Sequence, residues 1–302
     1  MLTGSLFRPV TLADRAFFLA HYANYPQVHS DNSFANIVCW NHFAHYTYAY
    51  VNDAIILSST IDGQTKFRPP IGERDPDLLD DVIRLAVDAG DDAPLALIDA
   101  GTRDWIREIY PGLPLHPDRA YFEYVYQTRD LSALSGSKFL TIRRHLNRFR
   151  RDCDPLVEPV NEENFDGIRN FLVEWCEWKQ CNGHPFLGYE KDAMLFAIDH
   201  FRELDLHGLF IEARGKMGAI AIFEELNPST AVVHFEKGLP DCEGIYKAIN
   251  AETAAYLKNR YEFINRESDM GVPGLREAKM RYHPHHLVEV YYAERADLEK
   301  VI

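Results

Sequence analysis

The sequence has no apolar run close to the roughly 20 residues that a membrane-crossing helix requires, no low-complexity tract and few cysteines. The first absence excludes a spanning helix in this stretch of chain. The opening residues Met1-Leu2-Thr3-Gly4-Ser5-Leu6 lack the basic and apolar regions of a secretory signal, so a cytoplasmic location is expected. The five cysteines, Cys39, Cys153, Cys176, Cys181 and Cys242, are odd in number and follow no framework spacing. They read as reduced thiols. Positive charge is scarce too: 32 Lys and Arg against 46 Asp and Glu give a net charge of −14. That balance argues against nonspecific coating of nucleic acid and against broad adhesion to anionic membranes, but it leaves room for a local basic site.

What is present is ample material for packed cores. The chain has 302 residues, 46% hydrophobic and 13% aromatic, a length comfortable for two domains. Thr11 with Asp14 forms a capping-box pattern for a helix over about 12–22. A second helix is predicted over 77–89 and a hairpin over 46–51 and 54–60, with short strands at 95–98 and 121–127. The second half repeats the theme with helices over 162–180 and 191–204, then a hairpin over 208–214 and 217–226. A strand over 230–237, a long helix over 244–260 and strands over 261–266 and 287–292 follow. The fold class is therefore α/β (α+β), and the order is that of a GNAT acyltransferase core. We expect two tandem GNAT-like domains, 1–130 and 131–302, each a mixed, mostly antiparallel sheet flanked by helices.

One segment departs from the acidic background. Residues 137–151 carry Lys138, Arg143, Arg144, Arg148, Arg150 and Arg151 with no acid among them. Phe139, Ile142, Leu146 and Phe149 form one apolar stripe, and Arg144, Arg148 and Arg151 fall on roughly the opposite side at about 100° per residue. Such a helix can pack one face and offer guanidinium groups to phosphates. The plain alternative is a solvated face whose arginines meet acids elsewhere.

The densest cluster of chemistry follows the strand at 261–266. The run Asn265-Arg266-Glu267-Ser268-Asp269-Met270-Gly271-Val272-Pro273-Gly274-Leu275-Arg276-Glu277-Ala278-Lys279 puts charge where strands of an α/β sheet present ligand-binding groups. Gly271 and Gly274 permit turning, and Pro273 suits a first helical turn. The bland reading is a salt-bridged corner. This run, through Arg281-Tyr282-His283-Pro284, resembles the C-terminal signature of the phosphatidylglycerol lysyltransferase C-terminal domain family. Matching blocks lie at Ser137–Phe149, at Val233-His234-Phe235-Glu236-Lys237 and at Gly244–Asn250. Weaker similarity starts near Ser33-Phe34-Ala35-Asn36, so the resemblance spans nearly the whole chain.

That resemblance implies tandem GNAT-like domains with the basic segment between them, where a tRNA acceptor arm or an anionic lipid head group would lie. In GNAT enzymes acyl-CoA pyrophosphate is held by a glycine-rich turn ahead of the long helix. Here that turn, Glu236 to Gly244, lacks the usual pattern and carries Asp241 and Glu243, which would repel a pyrophosphate. The leading expectation is thus an aminoacyltransferase that takes an amino acid from aminoacyl-tRNA to a lipid head group or a small amine or hydroxyl acceptor. It needs no cofactor. The alternatives are an acyltransferase using acetyl-CoA and a non-catalytic ligand-binding module.

Aminoacyl transfer requires an oriented acceptor, proton removal and oxyanion stabilisation. Glu236 is expected as base or amino-group ligand, and Lys237 as oxyanion stabiliser. Asn265, Arg266, Glu267, Asp269, Lys279 and Tyr282 are expected to bind substrate. Lys138, Arg143, Arg144, Arg148 and Arg151 are expected to bind tRNA or phosphate. An ion pair between Glu236 and Arg266 is the plain competing reading. No metal is expected: His283, His285 and His286 around Pro284 lack accompanying ligands and read as a turn. Lysyltransferases of the similar family usually carry a membrane-spanning segment and this sequence offers none, so a soluble acceptor, or a partner at the membrane, is at least as well supported as direct action on a lipid.

Overall fold

Strand-forming runs rich in Ile, Val, Tyr and Phe assemble into two sheets in the computed structural model, which describes residues 2–302. Along the first part of the chain lie β1 (Arg8–Pro9), β2 (Thr47–Val51), β3 (Ala54–Ile61), β4 (Gln64–Phe67), β5 (Leu95–Asp99), β6 (His116–Pro117) and β7 (Glu123–Gln127). Then follow β8 (Leu156–Pro159), β9 (His207–Ala213), β10 (Lys216–Asn227), β11 (Thr230–Gly238), β12 (Phe263–Ser268), β13 (His286–Val288) and β14 (Val290–Ala293). One seven-stranded sheet has the order β1-β2-β3-β4-β5-β14-β6 and the other β13-β7-β12-β11-β10-β9-β8. Both are mixed and mostly antiparallel, with parallel pairs β4–β5 and β11–β12. Helices flank them, and the fold is the tandem GNAT-like one expected.

The chain condenses into two compact units. One holds the residues up to Glu123 with Ser268–Val272 and Val288–Ile302; the other holds Tyr124–Glu267 with Pro273–Leu287. The interleaving follows from β14, which pairs antiparallel with β5 and with β6 and so returns the chain end to the first sheet.

In the first unit, the helix Pro76–Ala89 is set by local rules. Asp75 accepts a hydrogen bond from Leu78 N at 3.1 Å, Pro76 opens the first turn, and Gly90 closes the helix at φ +80°. Its buried Leu78, Leu79, Val82, Ile83 and Ala86 join the core of that unit. The Thr11–Asp14 capping box is present, opening a 3₁₀ turn that leads into the helix Arg15–Tyr22.

In the second unit, the basic segment forms a 3₁₀ turn, Ser137–Phe139, and then the helix Leu140–Asp152. Phe139, Ile142, Leu146 and Phe149 are all buried in the core of that unit, as the stripe requires. The helix expected over 191–204 runs instead over Pro185–Asp199, because Pro185 occupies its first turn.

The cysteine reading needs correction. Cys153 is disulfide-bonded to Cys242, and Cys176 to Cys181, with Cα–Cα separations of 6.1 and 5.3 Å; buried Cys39 remains a thiol. Both separations suit a bridge. The 89-residue gap between Cys153 and Cys242 gives no sequence signal of their proximity.

The burial pattern of the basic helix predicts a sharp asymmetry. Phe149→Ala should lower unfolding stability by about 3–5 kcal/mol, whereas Arg144→Ala on the exposed face should stay within about 0.5 kcal/mol. Urea unfolding of the two variants checks this, and equal shifts would mean that the stripe is not the packed face.

Candidate functional site

A one-residue irregularity decides which side chains meet. Along β10 and β11 the register pairs Ile222 with Phe235 but Phe223 with Val233, so His234 is the extra residue of a β-bulge. Before the bulge, Ala231 and Val233 face the core under the long helix; beyond it, that face passes to Glu236, the partner of core residue Ala221. Simple alternation would have aimed Phe235 and Lys237 there. The bulge re-aims the strand.

The neighbouring strand then separates. β11 and the parallel β12 pair only at Thr230–Phe263, Ala231–Ile264 and Val232–Asn265, although β11 continues to Gly238 and β12 to Ser268. Past that point side chains bridge the two strands. Glu236 Oε1 accepts from Arg266 Nη2 at 2.7 Å, each side chain 13% exposed. The guanidinium lies 5.1 Å from the Tyr282 ring centre and 5.9 Å from that of Tyr126. Asn250, on the helix Ile245–Leu257, sets its amide oxygen 2.9 Å from Arg266 Nε and Nη1. Burial opposes the charge on Arg266, but Glu236, Tyr126 and Tyr282 more than compensate and hold its pKa above the ordinary value. Burial likewise pushes the Tyr282 hydroxyl up to about 12.

A second bridge uses the bulge residue itself. His234 is buried with Nδ1 2.8 Å from Glu267 Oε1 and Nε2 2.9 Å from Glu224 Oε1. Burial alone would depress its pKa; the two carboxylates reverse that and carry it to about 10, so the ring is an imidazolium. Glu267 adopts φ +59°, a left-handed conformation that a glutamate rarely takes. Asn265 Oδ1 accepts from its backbone N–H at 2.8 Å, and Lys279 Nζ donates to the carbonyl oxygens of Arg266 at 2.5 Å and Glu267 at 3.0 Å. Tyr126 OH in turn donates to the Lys279 carbonyl at 2.8 Å. Backbone strain held by this many partners is characteristic of a functional site.

The expected site residues therefore separate into groups. Glu236, Arg266 and Tyr282 come together around Asn250 and Tyr126, with Asn265, Glu267 and Lys279 shaping the adjoining backbone. Lys237 does not join them: on the other face of β11 its Nζ lies 2.6 Å from Glu190 Oε1 and 5.0 Å from the Trp175 ring centre. Asp269 is fully buried, paired with Arg119 at 2.9 Å and accepting from Gly271 N at 2.9 Å. On the basic helix, Arg143 donates to the carbonyls of Leu134 and Gly136. Lys138 pairs with Asp130 at 3.3 Å, Arg148 with Glu243 at 2.8 Å and Arg151 with Asp152 at 2.7 Å. Arg144 is exposed. The acids missing from this helix are thus supplied largely by its neighbours, in exposed pairs that a phosphate can displace at little expense.

Sequence reasoning missed Asn250, Tyr126, Glu224 and the role of His234. Asn250 could have been found as a polar residue facing inward on an otherwise apolar helix; Tyr126 and Glu224 carry no local signal. Among the described residues, one His and carboxylate cluster has metal-like spacing: His116, Glu294 and Asp297, with ligand atoms within 4.8 Å of one another. Lys300 Nζ already takes Asp297 at 2.7 Å.

The imidazolium makes a prediction about pH. Its folded pKa of about 10 exceeds the unfolded value of about 6.5. Its stabilisation is fully present below pH 6.5 and is lost as the pH rises towards 10. Wild-type protein should lose stability between pH 7 and 10 more steeply than His234→Gln, measured by urea unfolding across that range. Parallel pH profiles would refute the charged pair.

Comparison with known proteins bears on the fold and the family. A conserved protein of unknown function from Bacteroides thetaiotaomicron superimposes with TM-score 0.86 at 30% identity, over 95% of this chain and 98% of its own. L-PGS from Bacillus licheniformis matches at TM-score 0.61 and 15% identity, over 93% and 92% of the respective chains. FemX matches at TM-score 0.56 and 9% identity, over 98% and 99%. No curated protein matches. With residues 22–294 matching the family's sequence pattern, the chain belongs to the phosphatidylglycerol lysyltransferase, C-terminal, family.

Proposed function

We propose that the protein is an aminoacyltransferase that takes an amino acid from aminoacyl-tRNA to the amine or hydroxyl of a small molecule or lipid head group. Family membership supports the transferase class. The Glu236–Arg266 ion pair of the plain reading is present, and what carries the functional reading is the convergence of Asn250, Tyr126 and Tyr282 on it at the diverging ends of β11 and β12.

In this reading Glu236 and Glu267 receive the ammonium of the aminoacyl group, since a carboxylate whose partner cation is already fixed still has lone pairs for a second donor. Arg266, oriented by Asn250 and the two tyrosines, holds Glu236 and meets the developing oxyanion. The acceptor's oxygen or nitrogen attacks the ester carbonyl, the bond to the ribose oxygen breaks, and the acceptor's proton ends on that leaving oxygen. An ester is already activated, so orientation and oxyanion stabilisation supply most of the rate. Lys138, Arg143, Arg144, Arg148 and Arg151 belong to the tRNA contact, with Arg144 and Arg148 the pair to test because they are exposed one helical turn apart on the same face.

The acetyl-CoA reading has less support. Asp241 and Glu243 stand ahead of the long helix, where Lys216 and Arg148 pair with them at 2.7 and 2.8 Å, so a pyrophosphate there would face both carboxylates and compete with them for these cations.

Binding to charged and uncharged bulk tRNA, titrated with salt, tests the proposal, with acetyl-CoA measured in parallel by calorimetry. Charged tRNA should bind more tightly than uncharged. Arg144→Glu with Arg148→Glu should weaken binding at least about tenfold and flatten the slope of log K against log salt by roughly 1.5–2. Saturable binding of acetyl-CoA alone would reverse the assignment. For the pocket, Glu236→Asp is the informative change, because Glu236→Ala strands a buried guanidinium and should destabilise by about 3–5 kcal/mol on its own. Glu236→Asp should keep the fold and abolish the preference for charged over uncharged tRNA.

A further inference from the structure

The first unit contains a cavity of about 330 Å³ whose lining includes Gln27, His29, Asn32, Arg68, Leu97 and Asp99. That volume lies at the lower end of the range of ligand sites, about 300–1,000 Å³. Arg68 is only 7% exposed. Its Nη1 donates to the Asp31 carbonyl at 2.7 Å and to Asn32 Oδ1 at 2.6 Å, and its guanidinium lies 5.1 Å from the Tyr46 ring centre. Every one of these partners is neutral.

The acids of this neighbourhood, Asp31 and Glu123, act with Arg68 on the buried His29 but make their hydrogen bonds to other groups. Asp31 Oδ1 accepts from Asn36 at 3.2 Å. Glu123 accepts from Ser30 N at 3.0 Å and stands 3.5 Å from His29. Asp99, the one carboxylate in the lining, caps the helix Ala100–Ile109 by accepting from Thr102 N at 3.0 Å and Oγ1 at 2.7 Å. Among the described residues no Asp or Glu forms an ion pair with Arg68. A buried cation without an anion is strongly disfavoured, and such groups in folded proteins are paired. Arg266, the buried arginine of the other unit, has its glutamate; Arg68 has a cavity.

The backbone at one lining residue is also unusual. Leu97, in the middle of β5, takes φ +56°, where a leucine is strained. Strain of this kind persists where a site needs a particular wall.

We infer that this cavity binds a small oxyanion-bearing molecule, a phosphate or a carboxylate compound, with Arg68 as its counter-charge. The neutral partners fix the guanidinium plane and leave its charge for the ligand, whose oxygens match guanidinium geometry. His29 and Gln27 supply polar wall beside it.

Thermal unfolding of the full chain in increasing inorganic phosphate, acetate or glycerol tests this, at constant ionic strength set with chloride. One of the two anions should raise Tm saturably, by roughly 3 °C near ten times its Kd, and the better anion identifies the head group. Glycerol should not, and Arg68→Gln should lose the response entirely. A selenate soak of wild-type crystals gives a measurement independent of any variant's folding: an anomalous peak within hydrogen-bonding reach of Arg68 is expected. No shift with either anion, an unchanged response in Arg68→Gln, or no peak at Arg68 would each overturn the inference. The test uses neither tRNA nor acyl donor, so its outcome is separate from that of the transferase proposal.

Discussion

The second unit depends on one constraint: a guanidinium held between two tyrosine rings must have a carboxylate beside it. Arg266 cannot lose its proton and cannot be left uncompensated in that setting. Glu236 satisfies it only because β11 contains a bulge at His234 that turns residue 236 inward. The parting of β11 from β12 leaves that region without a backbone ladder, so the interstrand contacts fall to side chains. A conventional strand would have packed apolar groups here. The bulge instead spends its one extra residue on a buried imidazolium that ties Glu224 on β10 to Glu267 on β12. Two carboxylates around one imidazolium leave one negative charge, which the Lys279 ammonium on the Arg266 and Glu267 carbonyls offsets, and the Glu236–Arg266 pair adds none, so the cluster is balanced by its own side chains.

Much of this was legible in the sequence because much of it is local. The capping box of Thr11 and Asp14, the helix over 77–89, the apolar stripe of residues 139–149 and the hairpin from β9 to β10 all follow from residues close together in the chain. The cluster at residues 265–279 was visible for a different reason: charge is out of place at a strand end, and a strand alone would not explain it. What escaped were facts about register and distance. No pattern in Val233-His234-Phe235-Glu236-Lys237 reveals a bulge, so the sequence does not tell that Glu236 rather than Lys237 faces the long helix. No spacing announces that Cys153 meets Cys242 or that β14 returns to β5.

The basic helix shows how composition can mislead in a milder way. The segment contains no acid, and in sequence its charge looks unbalanced. In space, Glu243 and Glu252 arrive from the long helix and the turn before it, and Asp130 from an earlier helix. Exposed pairs of this kind are worth little individually, so the arginines are balanced without being committed. A polyanion with several phosphates competes effectively for such a surface, whereas a single pyrophosphate facing Asp241 and Glu243 competes poorly. The same acids that neutralise the helix thus bias it towards ligands with many charges.

Arg266 and Arg68 pose one electrostatic problem with two solutions. Each is largely withdrawn from solvent, each lies beside an aromatic ring, and each is oriented by an asparagine. Arg266 has its counter-charge built into the neighbouring strand, so its site is electrically complete before any ligand arrives. Arg68 has only carbonyl, amide and ring partners and a cavity at its side. A built-in carboxylate would have made Arg68 structural; leaving the position open moves the compensating charge onto something that can come and go. Folding of the first unit is then linked to an anion in solution, because whatever binds the native state alone stabilises it by mass action.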